Sequence, residues 1–259
     1  HTADSFSGGR SEHIIGQWMH SRGLRDDMVL AVRIGGHPDN PGLGPVDLVR
    51  AVESSLGRLR TDRIDLIYLD ATADSATALE DTLATAEWLV DTGKARALGA
   101  IGYTATQLIE ARILASAGFP RLNVLDVPFN ILRRHEFDED LRLIAGAQQL
   151  AVTPSHALEH GFLAGRHRTR SKGALSVRGA QLAASLNRRG TRTLRALDVV
   201  GAELGVPDAA VAVAWLLAQK LVSAPIVNAY AAQHVEELMQ GVGVHLSRAQ
   251  LAEIARAAD

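Results

Sequence analysis

Short apolar runs alternate with longer amphipathic segments along the chain, and this alternation limits the fold more than any other feature of the sequence. The apolar runs are typical of strands buried on both faces. They lie at 28–32, 64–69, 95–101, 123–127, 151–153 and 222–227. The amphipathic segments have helical spacing and lie at 48–59, 79–93, 104–117, 135–149, 193–204, 207–220, 234–240 and 247–258. Strands separated by helices pair in parallel, so the sequence predicts an α/β fold, either a barrel or an open doubly wound sheet.

Length and composition restrict the class of protein. The 259 residues contain no Pro/Gly/Ser-rich linker and are 47% hydrophobic, which indicates one domain over 1–259 with a sizeable core. The formal net charge of −2 gives no general attraction to nucleic acid or to anionic membranes. There is no cysteine, no apolar run of membrane-spanning length and no signal-peptide pattern, so a soluble cytoplasmic protein is expected.

Several local motifs identify a family. Residues 2–12 read T-A-D-S-F-S-G-G-R-S-E, and residues 54–66 read S-S-L-G-R-L-R-T-D-R-I-D-L. Further on come G-K-A-R-A-L-G at 93–99, F-N-I-L-R-R at 129–134 and G-F-L-A-G at 161–165. In order and spacing these resemble the signatures of the aldo-keto reductase superfamily. No Gly-x-Gly-x-x-Gly follows a strand, which counts against a Rossmann domain.

The resemblance implies a (β/α)₈ TIM barrel whose active site lies at the carboxyl ends of the strands. The family normally has a strand, a helix and a second strand before the motif that begins here at Thr2. The N-terminal strand–helix unit is therefore expected to be absent from this chain.

The resemblance also implies a catalytic tetrad of Asp, Tyr, Lys and His, in which the Tyr donates a proton as hydride arrives. The matching positions in this sequence hold His1, Phe6, Arg33 and Asp70. Because Phe6 has no proton to give and the other three residues also differ, the family's proton relay is not expected to operate.

The positions that would contact NADPH differ as well. The Ser-Asn pair that holds the nicotinamide carboxamide corresponds to Ile101-Gly102, followed by Tyr103. The Gln of the next strand corresponds to Asp126, and the adenine-binding Asn to Leu238. Only backbone contacts around Leu158 and Gly161 are expected to remain. The sequence therefore predicts no cofactor, with NADPH as the alternative.

Other polar groups replace the lost ones, and they suggest a different site. Asp70 and His156 are predicted to act as an acid–base pair, Arg33 to hold a carboxylate or phosphate, and Tyr103 to assist them. A set of further residues would line the substrate pocket: His1, Asp4, Phe6, Asp126, Asn228 and Tyr230. The alternative for Arg33 and Asp70 is a purely structural salt bridge. No ligand spacing supports a metal site.

Three functions stay open. The first is redox-neutral acid–base chemistry, such as elimination, dehydration, isomerisation or cyclisation, on a small polar metabolite. The second is NADPH-dependent reduction with relocated groups, and the third is a non-catalytic binding or regulatory subunit. A small-molecule substrate is expected, a homo-oligomer stays open, and nucleic acid or membrane partners are not expected. The basic stretch from Arg166 to Arg195 is interpreted as a solvated, partly disordered loop rather than a polyanion site.

Overall fold

Six parallel strands form the sheet of the described chain. The computed structural model describes residues 1–259 except 75, 167 and 169–178. The strands are β1 (Thr2–Ala3), β2 (Ala31–Ile34), β3 (Ile64–Asp70), β4 (Ala95–Ile101), β5 (Leu122–Pro128) and β6 (Ala151–Ser155). They lie in the sheet in chain order, and the pairings from β1 to β5 are parallel. The predicted α/β fold of repeated strand–helix units is confirmed.

Helices connect the strands and follow the last one. They are α1 (Arg10–Arg22), α2 (Pro45–Leu59), α3 (Leu79–Asp91), α4 (Ala105–Ser116), α5 (Glu139–Gln148), α6 (Gly179–Ser185), α7 (Arg188–Leu204), α8 (Asp208–Leu217), α9 (Ala232–Gly243) and α10 (Arg248–Ala257). The predicted N-cap of α4 is confirmed, because the Thr104 side chain accepts a hydrogen bond from Gln107 N in a capping box. Helix α5 begins four residues later than the predicted start at His135.

The chain divides into two compact units. The first unit comprises residues 1–126 and 140–151, and the second comprises residues 127–139 and 152–259. The first unit contains β1 to β4, most of β5 and helices α1 to α4. It also contains α5 except for the first residue of that helix. The second contains nearly all of β6 and helices α6 to α10. The prediction of a single domain stays a prediction.

The register of the first unit places three strand ends at one edge of the sheet. Arg33 on β2 lies opposite Tyr68 on β3, and Asp70 on β3 lies opposite Ile101 on β4. The apolar residues of β3 that precede this edge, such as Ile67 and Leu69, are fully buried. The carboxyl ends of β2, β3 and β4 therefore meet, as the barrel interpretation requires of an active-site edge.

The predicted last strand at 222–227 is not a full strand. In the second unit, Val222 makes one isolated parallel bridge to Val152, and Ser223 N and Ile226 N donate to the carbonyls of Val152 and Pro154 at 2.9 and 2.8 Å. Pro154 and Pro225 have no N–H to donate. Proline on both segments interrupts the ladder, which explains why the apolar run aligns without forming a continuous strand.

The interpretation of the basic stretch as a loop is wrong where the structure describes it. Helix α6 begins at Gly179, and α7 begins at Arg188 rather than at the predicted 193. A 3₁₀ helix (Glu159–Ala164) precedes the stretch. The side chain of Asn187 caps α7 by accepting from Gly190 N. Positions 167 and 169–178 of the stretch lie outside the described residues.

No single helix of the described chain is long and apolar enough to cross a membrane. Helices α7 and α8 meet the length and composition criteria only as a pair, which is bent by 94°.

Candidate functional site

Arg33 and Asp70 form a salt bridge at the carboxyl ends of β2 and β3. Arg33 Nε and Nη2 each lie 2.5 Å from Asp70 Oδ2. The side chain of Asp70 is 3% exposed, whereas that of Arg33 is 34% exposed. The two side chains therefore form a salt bridge, and the guanidinium is the member that meets solvent; whether the pair is purely structural stays a prediction.

Thr72 completes the group around Asp70. Its backbone N and its Oγ1 donate to Asp70 Oδ1 at 3.0 and 2.6 Å, and its Oγ1 also accepts from Arg33 Nη2 at 3.1 Å. Both oxygens of Asp70 are thus engaged, while Arg33 Nη1 has no protein partner among the described residues. Asp70 and Thr72 thus hold the guanidinium through Nε and Nη2, and the two N–H bonds of Nη1 are left for a ligand.

Gly102 lies against this group, immediately after β4. Its φ is +72°, and a Cβ atom built there would lie 2.3 Å from Thr72 Cγ2. A side chain at position 102 and a threonine at position 72 therefore exclude each other in this conformation. Gly102 is the position that the family resemblance assigns to a carboxamide-binding Asn.

Tyr103 is buried next to the same edge. It is 5% exposed, and no hydrogen bond of its hydroxyl is present among the described residues. Burial raises the pKa of Tyr103 well above its usual range, and the negative charge of Asp70 raises it further. The phenol stays protonated at neutral pH and can donate a hydrogen bond or a proton.

Other predicted pocket residues of the first unit differ in exposure. Asp4 directly follows β1 and is fully buried; its Oδ2 accepts from Gly35 N at 2.9 Å, and its Oδ1 has no hydrogen bond within the described chain. Asp126 is buried at the end of β5, in register with Ile101. The ring of His1 packs edge-on against Tyr68 at 5.5 Å, and Phe6 is 47% exposed.

In the second unit, His156 lies on a strained segment. His156, Glu159 and His160 have φ values of 54°, 46° and 57°, and Gly161 follows at 92°. Left-handed backbone at three non-glycine residues is costly and persists only where neighbouring groups hold it. His156 is exposed, and its ring lies 4.9 Å from that of His160. Because Asp70 and His156 belong to different units, their action as a pair stays a prediction.

A buried polar network holds this segment, and sequence reasoning missed it. Asn130 is fully buried; its Nδ2 donates to His156 O at 2.8 Å and to Glu159 Oε2 at 2.7 Å. Its Oδ1 accepts from the backbone N of Leu132 and Arg133 at 2.8 and 2.9 Å. In the sequence, Asn130 stands out only as a polar residue shortly after the apolar run at 123–127. It is also part of the family motif at 129–134, so it was not singled out as a structural residue.

Arg133 closes the network from the other side. Its Nε and Nη2 donate to the two oxygens of Glu159 at 3.1 and 2.8 Å, and its Nη1 donates to Glu136 at 2.6 Å. Burial opposes ionisation of Glu159, but the hydrogen bonds from Arg133 and Asn130 outweigh it, so the pKa of Glu159 lies below its ordinary value. The segment after β6 is therefore anchored by a bidentate ion pair.

The remaining predicted residues of the second unit are exposed or used in local contacts, and a shared pocket with His156 stays a prediction. Asn228 is exposed, and Tyr230 is 74% exposed with its backbone N near His234 Nδ1 at 3.3 Å. The N–H of Gly161 donates to Leu158 O at 2.9 Å, so this amide is used within the turn. Among the described residues no group of three His, Cys, Asp or Glu side chains could hold a metal ion.

Comparison with known proteins agrees with the sequence motifs. The model of the aldo/keto reductase family matches residues 1–259. The aldo-keto reductase ausK of Emericella nidulans is 30% identical over 268 residues, which cover 96% of this chain and 66% of the relative. The norsolorinic acid reductase stcV of the same organism is 28% identical over 265 residues, covering 98% of this chain and 66% of the relative.

A relative of a different kind is equally similar. A probable voltage-gated potassium channel subunit beta of Oryza sativa subsp. japonica is 28% identical over 256 residues, which cover 93% of this chain and 76% of the relative. The chain thus spans about two thirds of the two Emericella nidulans proteins and about three quarters of the Oryza sativa protein.

Proposed function

We propose that this chain, which belongs to the aldo/keto reductase family, is an enzyme. Its proposed reaction is redox-neutral acid–base chemistry on a small polar metabolite. Elimination, dehydration, isomerisation and cyclisation belong to this class. The proposal departs from the reduction that the names of two relatives indicate. It rests on the side chains at the carboxyl edge of the first unit.

The observation that carries the proposal is the steric conflict between any side chain at position 102 and the methyl group of Thr72. In the family pattern an Asn at this position holds the nicotinamide carboxamide, but here a Cβ atom would lie 2.3 Å from Thr72 Cγ2. Thr72 in turn donates twice to Asp70, which holds Arg33. An Asn side chain at position 102 is therefore disfavoured in this conformation. This supports the proposal that the contact to the nicotinamide carboxamide is lost, and that Thr72 serves instead to position Arg33 through Asp70.

Arg33 would bind the substrate. Its Nη1 has no protein partner in the described chain, and its position is fixed by Asp70 and Thr72. An oriented guanidinium N–H can donate to a carbonyl, enolate or carboxylate oxygen of the substrate and so stabilise negative charge on that oxygen. Tyr103, which stays protonated, is the proposed proton donor to that oxygen or to a leaving group. Asp70 acts as a positioning residue.

Titration with NADPH and NADP⁺ tests the proposal directly. We expect no saturable change in nicotinamide fluorescence or heat at cofactor concentrations up to about the millimolar range, where binding is worth roughly 4 kcal/mol. A panel of hydroxy, keto and carboxylate metabolites should include compounds that raise the melting temperature. That shift should disappear in Arg33→Met and persist in the control Arg50→Met, whose side chain is exposed on α2. Micromolar binding of NADPH would contradict the proposal.

The names of two relatives favour a second candidate. The ausK and norsolorinic acid reductase proteins are named as reductases, so NADPH-dependent reduction by relocated groups is the alternative that the cofactor titration separates. The name of the Oryza sativa relative favours a third candidate, a non-catalytic subunit. For that candidate neither the cofactor nor any metabolite of the panel should bind.

A further inference from the structure

Helix α7 carries a row of three arginines on its exposed face. Arg188, Arg192 and Arg195 follow the spacing i, i+4 and i+7, and all three side chains are exposed. None has an ion pair or side-chain hydrogen bond with any described residue. The opposite face of α7 is buried, with Leu194 and Leu197 at its centre. This packing holds the helix in place and so fixes the backbone positions of the three arginines.

This placement of positive charge is unfavourable within one molecule. Like charges one turn apart on a helix repel each other. The first turn of a helix also disfavours cations because of the helix dipole; Arg188 lies in the first turn of α7, and that turn has no acidic residue. A partner that brings negative charge to this face would remove both effects.

Helix α3 carries the complementary row. Glu80, Glu87 and Asp91 follow the spacing i, i+7 and i+11 and are exposed. No ion pair or side-chain hydrogen bond engages them within the described part of the chain. The opposite face is buried through Leu83 and Leu89.

Two charged residues of each row pair when the helices run antiparallel. Asp91 then faces Arg188 and Glu87 faces Arg192, because both pairs of residues are separated by four positions, about 6 Å along each helix. Ala84 falls opposite Arg195, and this small side chain allows close approach. Glu80 falls opposite Val199, one turn from Arg195.

We propose that α3 of one copy of this chain docks antiparallel against α7 of a second copy. Exposed ion pairs alone contribute little, but they set register and exclude wrong partners. Two apolar side chains beside the rows add buried area: Trp88 on α3 is 44% exposed and Val199 on α7 is 47% exposed. This contact does not depend on the proposed reaction.

A second copy fits the arginine row better than a nucleic acid or a membrane. The net charge of −2 gives the whole chain no attraction to a polyanion, and three arginines are few beside the contacts that such partners make. The same chain, in contrast, supplies an acidic row at equal concentration, and its Asp91 and Glu87 have the same four-residue spacing as Arg188 and Arg192.

Sedimentation of the full chain at about 0.05 M and about 1 M salt tests the contact, because salt screens exposed pairs. The wild type should self-associate more strongly at low salt. Arg192→Glu and Glu87→Arg should each weaken association about tenfold or more. The double variant E87R/R192E should recover it, since the pair is restored with reversed sign, and an equimolar mixture of the two single variants should recover it too.

Charge reversal at a site away from both rows is the control. Arg50→Glu on α2 changes the net charge by the same amount as Arg192→Glu and should leave association unchanged. Circular dichroism checks that every variant is folded. The proposal is overturned if the wild type is monomeric at low salt, if the single variants associate like the wild type, or if the double variant stays as weak as the single ones. A monomer whose arginine row binds heparin would assign the row to a polyanion instead.

Discussion

Asp70 holds the guanidinium of Arg33 through two contacts of 2.5 Å to a single carboxylate oxygen, and its other oxygen is occupied by Thr72. Asp70 is buried, and its two oxygens are engaged by Arg33 and Thr72. The positioning role proposed for Asp70 rests on these contacts, and the acid–base role expected from the sequence stays a prediction. The same contacts leave Arg33 as the group that meets a ligand.

Asp70→Asn should destabilise the fold. The substitution keeps the shape but removes the charge that partners Arg33, so we expect the free energy of unfolding to fall by about 1–3 kcal/mol. The loss is moderate because Arg33 is partly solvated. Urea denaturation at pH 7 measures it, with the exposed Asp27→Asn as the control. A change below about 0.5 kcal/mol would show that the pair contributes orientation and no stability.

Tyr103 should make the fold sensitive to alkaline pH. Its pKa is raised in the folded protein by burial and by Asp70, whereas an unfolded tyrosine has a pKa of about 10. The stabilising contribution is therefore complete below about pH 10 and is lost as pH rises further, by roughly 1.4 kcal/mol for each pH unit.

Unfolding free energies of the wild type and Tyr103→Phe from pH 8 to 11 should converge or cross as this contribution disappears. Asp70→Asn should reduce the effect by removing the second cause of the raised pKa. A constant difference between wild type and Tyr103→Phe over this range would refute the assignment.

A double-mutant cycle should detect the contact between Gly102 and Thr72. Gly102→Ala introduces a Cβ at positive φ that meets Thr72 Cγ2 at 2.3 Å, so it should cost about 2–4 kcal/mol. Thr72→Ser removes this methyl group and keeps the hydroxyl that serves Asp70. In that background Gly102→Ala should cost only about 1 kcal/mol, the penalty of the backbone conformation. Equal costs in both backgrounds would mean that the two positions do not interact.

Asp208 should titrate at a higher pH than an ordinary carboxylate. Its effect on the pH dependence of stability should therefore have the opposite sign to that of most carboxylates. At the start of α8, burial raises the pKa of Asp208 to about 6, and the nearby Asp198 contributes to the shift, while Arg168 opposes it. Since the folded pKa lies above the unfolded value, the stabilising contribution is complete below about pH 4 and is lost as pH rises to about 6.

The wild type should therefore lose up to about 3 kcal/mol relative to Asp208→Asn across this interval. Asp198→Asn should lower the pKa of Asp208, which ¹³C NMR of the carboxyl group can follow. If the carboxyl of Asp208 titrates near 4 in the wild type, the predicted pH dependence fails.

Asn130→Ala should release the strained segment after β6. The substitution removes four hydrogen bonds of a fully buried side chain, and we expect a loss of about 2–4 kcal/mol. Amide hydrogen exchange at 156–161 should accelerate more than elsewhere, because the left-handed residues lose their support. Asn228→Ala, at an exposed position, should change neither quantity. Uniform acceleration over the second unit would indicate general destabilisation instead.

The strand–helix order could be predicted from the sequence because it depends on local periodicity. Runs such as Ile64–Asp70 and Ala95–Ile101 are largely buried, and their apolar character shows directly in the sequence. The prediction at 222–227 was wrong because the apolar pattern did not weigh the missing N–H groups of Pro154 and Pro225. The apolar periodicity of a sequence predicts which residues are buried, whereas a β-strand also needs backbone N–H groups that can donate hydrogen bonds.

The candidate site was only partly predictable. Arg33 and Asp70 could be named because family motifs fix their strand positions, and their salt bridge was one of the two alternatives for the pair. The network of Asn130, Arg133 and Glu159 could not be predicted, because its members lie up to 29 positions apart and meet only through the turn after β6. Whether Asp70 and His156 act together stays a prediction.

The contact between Gly102 and Thr72 has an evolutionary consequence. A mutation to Asn at position 102 places its side chain against Thr72, and a mutation that first shortens Thr72 to alanine removes the hydroxyl that holds Asp70. Each first step alone carries a penalty, so the order of substitutions matters, and these two changes do not lead to the family's Asn by neutral single steps. Serine at position 72, which keeps the hydroxyl and loses the methyl group, is the one intermediate that opens such a route.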